Sequence, residues 1–174
     1  YAQHAPRLLA LHFTSVDDYL HLLRAACVAL AAAGPHALLY LAAAVSDFFV
    51  PENELATHKI QSGGGGGAST ADADGGLKLH LRPVPKLLEA IKRASSGDAP
   101  AWAPQALLVS FKLETNEAIL KAKAAGAIAK YGVDVVCANR LQTYRHEVIL
   151  MTQQGDALPT VSAVVSGNET EEVA

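Results

Sequence analysis

The chain has 174 residues, 51% of them hydrophobic, with a formal net charge of -3. That is enough for one α/β domain with a buried core, and it offers no basic excess to support a nucleic-acid partner. No apolar run approaches the roughly 20 residues needed to cross a bilayer, so no membrane association is expected.

The elements follow in order. The start, YAQHAPRLLA, lacks the charged-then-apolar pattern of a signal peptide, and without an initiating Met the true start is expected upstream. Thr14 and Ser15 precede Asp17 and Asp18, hydroxyls and acids that predict a helix start. Apolar residues then recur at helical spacing at Val16, Leu20, Leu23, Cys27 and Leu30, and Gly34-Pro35 stops the run. From Leu38 to Pro51 the sequence is LLYLAAAVSDFFVP. Its near-continuous apolar character predicts a strand buried on both faces, with Asp47 just beyond its carboxyl end. Residues 62–76 (SGGGGGASTADADGG) are low in complexity and predict a flexible insertion within a single domain spanning residues 1–174.

Leu77 to Leu81 alternates as a half-exposed strand, and Pro85 opens a helix to about Ala94. Gln105 to Phe111 predicts a second buried strand, Asn116 to Tyr131 a helix closed by Gly132, and Asp134 to Ala138 a third buried strand ending at Asn139. His146 to Met151 reads as a fourth strand, Gln154-Gly155-Asp156 as a turn, and the polar tail from Ser166 as frayed. Strand–helix alternation of this kind implies right-handed crossovers and a largely parallel sheet with helices on both faces.

Ligands of open α/β sheets bind outside the carboxyl ends of the strands. Asp47, Phe111 and Asn139 each fall at such an end, so the expected cleft carries a carboxylate, an aromatic face and an amide. Ala42, Ala43 and Ala44 would let a ligand approach the backbone closely. Plainer readings stand beside these: Asp47 and Asn139 as turn residues, Phe111 as core packing. Residues 63–67 are all glycine, but no Lys follows before the next strand, so they do not form a Walker loop. Cys27 lies on an apolar helical face and reads as core, and Cys137 reads as buried packing. Isolated cysteines suit a reducing compartment, so a cytoplasmic location is expected. The histidines show no metal-ligand spacing, so no protein-held metal is expected.

Four segments occur in a telling order: AAAVSDF (Ala42–Phe48), HKIQS (His58–Ser62), SFKLET (Ser110–Thr115) and VVCAN (Val135–Asn139). With PVPKLL and DYLHLLRAA, they resemble the C-terminal half of eukaryotic phosphopantothenate–cysteine ligases. The resemblance implies a Rossmann-like three-layer αβα fold with a flap and dimerisation extension. It also implies a cytoplasmic homodimer that joins 4′-phosphopantothenate to cysteine through an acyl-nucleotide, with ATP and Mg²⁺, in coenzyme A biosynthesis. By position, it implies that Ala43, Ala44 and Asp47 hold phosphopantothenate. Phe111, Asn139 and Lys130 would contact the nucleotide, and Lys59 would be the catalytic flap lysine. The family's Gly-rich nucleotide loop and intermediate-binding Asn have no counterpart here, so activity of this chain alone is not expected. The alternative is a non-catalytic nucleotide-binding homologue acting as a regulatory or partner subunit. A nicotinamide oxidoreductase is disfavoured because no G-x-G-x-x-G follows a strand.

Overall fold

The first helix begins where its capping residues predict. In this computed structural model, which describes residues 2–56, 58, 69–71, 76–84, 87–94, 99–153 and 159–166, Ser15 Oγ accepts from the Asp18 N–H at 3.1 Å. The Asp18 carboxylate accepts in return from the Ser15 N–H at 3.3 Å, a reciprocal cap that satisfies two otherwise orphaned donors. Helix α1 (Val16–Leu30) follows, and the chain reverses through Gly34, whose φ of 55° suits glycine. Then come β1 (Leu38–Leu41), β2 (Phe48–Phe49), β3 (Ser69–Ala71), β4 (Leu77–Leu79), β5 (Arg82–Pro83) and α2 (Leu87–Lys92). The chain continues with β6 (Leu107–Glu114), α3 (Glu117–Tyr131), β7 (Val135–Arg140), β8 (Glu147–Thr152) and β9 (Thr160–Ser166). Two compact units result, one of Tyr1–Ala43 with Leu87–Ala174 and one of Ala44–Lys86.

The larger unit is an α/β sheet in the order β1-β6-β7-β8-β9. Strands β1, β6 and β7 are parallel, β8 opposes β7, and β9 opposes β8, so only β8 points against the rest. The connection from β7 to β8, residues 141–146, is too short for a crossover, which forces a hairpin there. Helix α3 returns the chain from the end of β6 to the start of β7. The Asn116 side chain caps its first turn, accepting from the Ile119 N–H at 3.1 Å, and Gly132 closes it at φ 70°.

Register assigns the two faces. Leu39, Leu108, Val136, Ala138, Ile149 and Met151 share one face and form the core with Cys27 of α1, Ile91 of α2 and Leu120, Ala124 and Ile128 of α3. All three helices therefore pack on that face. Leu38, Tyr40, Leu107 and Leu113 lie on the other face and are exposed. A helical layer on that second face, expected from the sequence, is not supplied by the described residues.

Three further boundaries differ from the sequence reading. The run from Leu38 is not one long strand: β1 ends at Leu41, because Ala42 to Ala44 offer little side-chain surface to bury, and Asp47 falls in the other unit. Strand β6 does not stop at Phe111. It continues because Lys112, Leu113 and Glu114 keep pairing with Ala138, Asn139 and Arg140. Strand β9 lies in a segment the sequence reading left unassigned.

The smaller unit consists of two short antiparallel pairs. Phe48 and Phe49 face Pro83 and Arg82, the Asp47 carbonyl accepts from the Val84 N–H at 2.9 Å, and Arg82 pairs with Glu54. Ser69, Thr70 and Ala71 face Leu79, Lys78 and Leu77. That strand was expected to be part of the flexible insertion, whose residues 62–68 and 72–75 lie outside the described residues. The turn at Gln154-Gly155-Asp156 and the tail beyond Ser166 also lie outside them.

Candidate functional site

Two of the sequence-picked residues meet on one surface. Phe111 of β6 faces Cys137 of β7, and two steps further along Leu113 faces Asn139. Side chains alternate along strands, so Phe111 and Asn139 project from the same sheet face, the one away from the helices. Diagonal neighbours on adjacent strands lie about 7–8 Å apart, a separation one planar heterocycle can bridge. Phe111 is half-buried, and the Tyr40 ring meets it edge-on, with centroids 4.9 Å apart and planes at 75°. Beneath them Cys137 is buried, and burial pushes its thiol up, against a smaller opposing pull from the Tyr40 hydroxyl. The surface thus offers two aromatic rings and an amide over an apolar floor.

Sequence reasoning missed Tyr40. Its place beside Phe111 depends on the β1–β6 register, which sets Tyr40 opposite Val109 and leaves Phe111 just past the end of β1. It also missed Arg140. A charged residue directly after the apolar run VVCAN is the signal that could have exposed it.

The other candidates are distributed differently. Ala43 follows β1 in the larger unit and is exposed. With Ala42 it lines an apolar groove of about 240 Å³ that Phe13, Tyr19, Leu23 and Leu41 also border, with the Phe13 and Tyr19 rings 5.1 Å apart. Ala44 and Asp47 belong to the smaller unit, where the Asp47 side chain is exposed. Lys59 lies outside the described residues. Lys130 sits in the last turn of α3, its ammonium 5.4 Å from the Tyr131 ring centroid. That helix runs from the carboxyl end of β6 to the amino end of β7, so Lys130 is not brought to the edge that carries Asn139. Among the described residues no group of three or more His, Cys, Asp or Glu side chains could hold a metal ion, and no helix is long and apolar enough to cross a membrane.

Residues 23–163 match the family model described as the DNA/pantothenate metabolism flavoprotein C-terminal domain. The chain belongs to this family. It is 41% identical over 170 residues to the phosphopantothenate–cysteine ligase of Homo sapiens, a match covering 97% of this chain and 49% of the relative. It is 44% identical over 147 residues to phosphopantothenate–cysteine ligase 1 of Oryza sativa subsp. japonica, covering 84% of this chain and 40% of that protein. Among solved structures, a Cab2 histidine-to-alanine mutant superposes with a TM-score of 0.80 at 37% identity, over 99% of this chain and 50% of that one. The same Cab2 mutant in complex with phosphopantothenate-cysteine gives a TM-score of 0.77 at 36% identity. The chain spans at most about half the length of these proteins. The α/β Rossmann-like fold expected from the sequence is the fold of this family.

Proposed function

We propose that this chain forms the nucleotide-binding and part of the phosphopantothenate-binding surface of a phosphopantothenate–cysteine ligase in coenzyme A biosynthesis. The observation that carries the reading is the pairing of Phe111 and Asn139 on one sheet face at neighbouring parallel strands, in a chain whose relatives bear that ligase name. An aromatic face stacks on a nucleobase, and an amide both donates to and accepts from its polar edge. Tyr40 extends the stacking surface. Ala43, with Ala44 and Asp47, is assigned to phosphopantothenate, because exposed backbone beside alanines admits close approach of a ligand.

A carboxylate is a poor electrophile, so the ligation runs in two stages. The phosphopantothenate carboxylate displaces pyrophosphate from ATP to give an acyl-nucleotide, and the amine of cysteine then displaces the nucleotide monophosphate to form the amide. Mg²⁺, when bound with the triphosphate, would neutralise charge on the phosphates. Lys59 is assigned the companion role, a point charge closing over the reacting phosphates. A homodimer in the cytoplasm completes the proposal, with the exposed Leu77, Leu79 and Leu81 as candidates for the subunit contact.

The test is pyrophosphate release by the intact protein, with 4′-phosphopantothenate and either ATP or CTP, before and after cysteine is added. Release that requires phosphopantothenate, favours ATP and is sustained by cysteine is expected. Preference for CTP would overturn the choice of nucleotide. No release from folded protein would leave a non-catalytic nucleotide-binding homologue.

A further inference from the structure

Arg140, the last residue of β7, stands where three segments converge. Its Nη2 donates to Glu147 Oε1 at 2.9 Å, at the start of β8, and its Nη1 lies 3.4 Å from Glu117 Oε2, in the first turn of α3. Thr143 Oγ1 donates to the same Glu147 oxygen at 3.4 Å. The backbone repeats the tie. Leu141 N–H donates to the Glu114 carbonyl at 3.0 Å, Thr143 N–H to the Arg140 carbonyl at 3.1 Å, and Gln142 Nε2 to the Thr115 carbonyl at 3.2 Å. The loop after β6 and the turn after β7 are thus fastened into one rim. Arg140 Nε is buried without a partner among the described residues. The side chain is 32% exposed, so only this one donor is withdrawn from water, while both Nη groups are held by carboxylates. Lysine has no Nε donor but offers its charge from a single nitrogen, without the rigid planar fork that reaches Glu147 and Glu117 from two separate nitrogens.

Asn139 and Arg140 are successive residues of one strand, so their side chains leave opposite faces of the sheet. Anchoring Arg140 on the helix side therefore fixes the backbone from which Asn139 projects on the other. We propose that Arg140 is a positioning residue, its two-carboxylate fork holding the rim so that the Asn139 amide keeps one orientation toward the nucleotide. The nucleotide part of this inference rests on the function proposed above, and the fork itself does not.

Two measurements separate them. In ¹H–¹⁵N spectra of the full 174-residue chain, the Asn139 side-chain amide pair should be dispersed in the parent. In both Arg140→Ala and Arg140→Lys it should collapse toward random-coil positions, with the sheet amides unmoved. In the intact protein, either variant should raise the KM for ATP several-fold, to about tenfold, on the scale of one misplaced hydrogen bond, and leave the KM for phosphopantothenate unchanged. Should Arg140→Ala fail to fold, Arg140→Lys is read in its place. An Asn139 amide that stays dispersed in Arg140→Lys overturns the proposal, as does full rescue of the ATP KM by lysine. If Asn139→Ala leaves the ATP KM unaltered while the Arg140 variants still release the amide, the nucleotide reading falls and the positioning role stands.

Discussion

Asp134 shows how much a single side chain can organise. Its Oδ2 accepts from the Leu108 N–H at 2.7 Å and from Lys92 Nζ at 2.9 Å, while that ammonium also donates to the Ala106 carbonyl at 2.8 Å. One carboxylate thus ties α2 to the starts of β6 and β7, and the Lys92 side chain is only 13% exposed. Asp134→Ala leaves an ammonium and a backbone donor without their acceptor. It should lower the unfolding free energy by about 1–3 kcal/mol, read as a lower urea midpoint. Asp134→Asn should lower it less, since an amide oxygen still accepts from Leu108. The two thiols add a pH dependence. Burial pushes both Cys27 and Cys137 above the ordinary thiol value near 9.0. The unfolded chain then ionises first, so stability is fully present below about pH 9 and declines as pH rises toward the folded values. Urea midpoints between about pH 8 and about pH 10 should fall, and alanine at both positions should flatten the decline.

At the scale of elements, strand β6 carries the argument. Its alternation sends Leu108 and Ser110 toward the helices and Val109 and Phe111 away from them, so one strand serves both the core and the candidate site. Removing the Phe111 ring takes away the stacking surface without opening the helix-side core. In the intact protein Phe111→Ala should raise the KM for ATP by about tenfold, within the 1–3 kcal/mol range measured for base–aromatic stacking, with the phosphopantothenate KM unchanged. Loss of both affinities together would place Phe111 in packing instead. Lys130 makes the complementary case. It was legible only through family resemblance, and α3 carries it to the far end of the sheet, so its removal should leave the ATP KM near the parent value. The limits of β6 were not legible either: Lys112 and Glu114 resemble loop residues until their pairing with β7 is known.

At the scale of the molecule, two kinds of stability are joined in one chain. The five-stranded sheet buries a continuous core against three helices, whereas the unit of Ala44–Lys86 is built on strand pairs of two and three residues. Such short pairs are marginal by themselves. Hydrogen exchange should therefore find Val109, Val136 and Cys137 opening only with global unfolding, and Phe48, Phe49 and Leu79 exchanging through local opening at lower free energy. Equal protection in both units would contradict this view.

The sequence by itself determined what local chemistry decides. The Ser15 cap, the Gly34-Pro35 stop and the Asn116 and Gly132 ends of α3 depend on near neighbours and were legible, as was the inward face of α1 that carries Cys27. Of the apolar strands the existence was legible, but not their limits or the exposure of one face. The ordered segments from Ala42 to Asn139 were equally legible as a family pattern. Only the tertiary structure decided which residues share a surface. Register and strand direction are set by partners distant in the chain. They alone brought Tyr40 to Phe111, put Asn139 on their face and Lys130 at the other end, turned β8 against its neighbours and set Arg140 between two carboxylates.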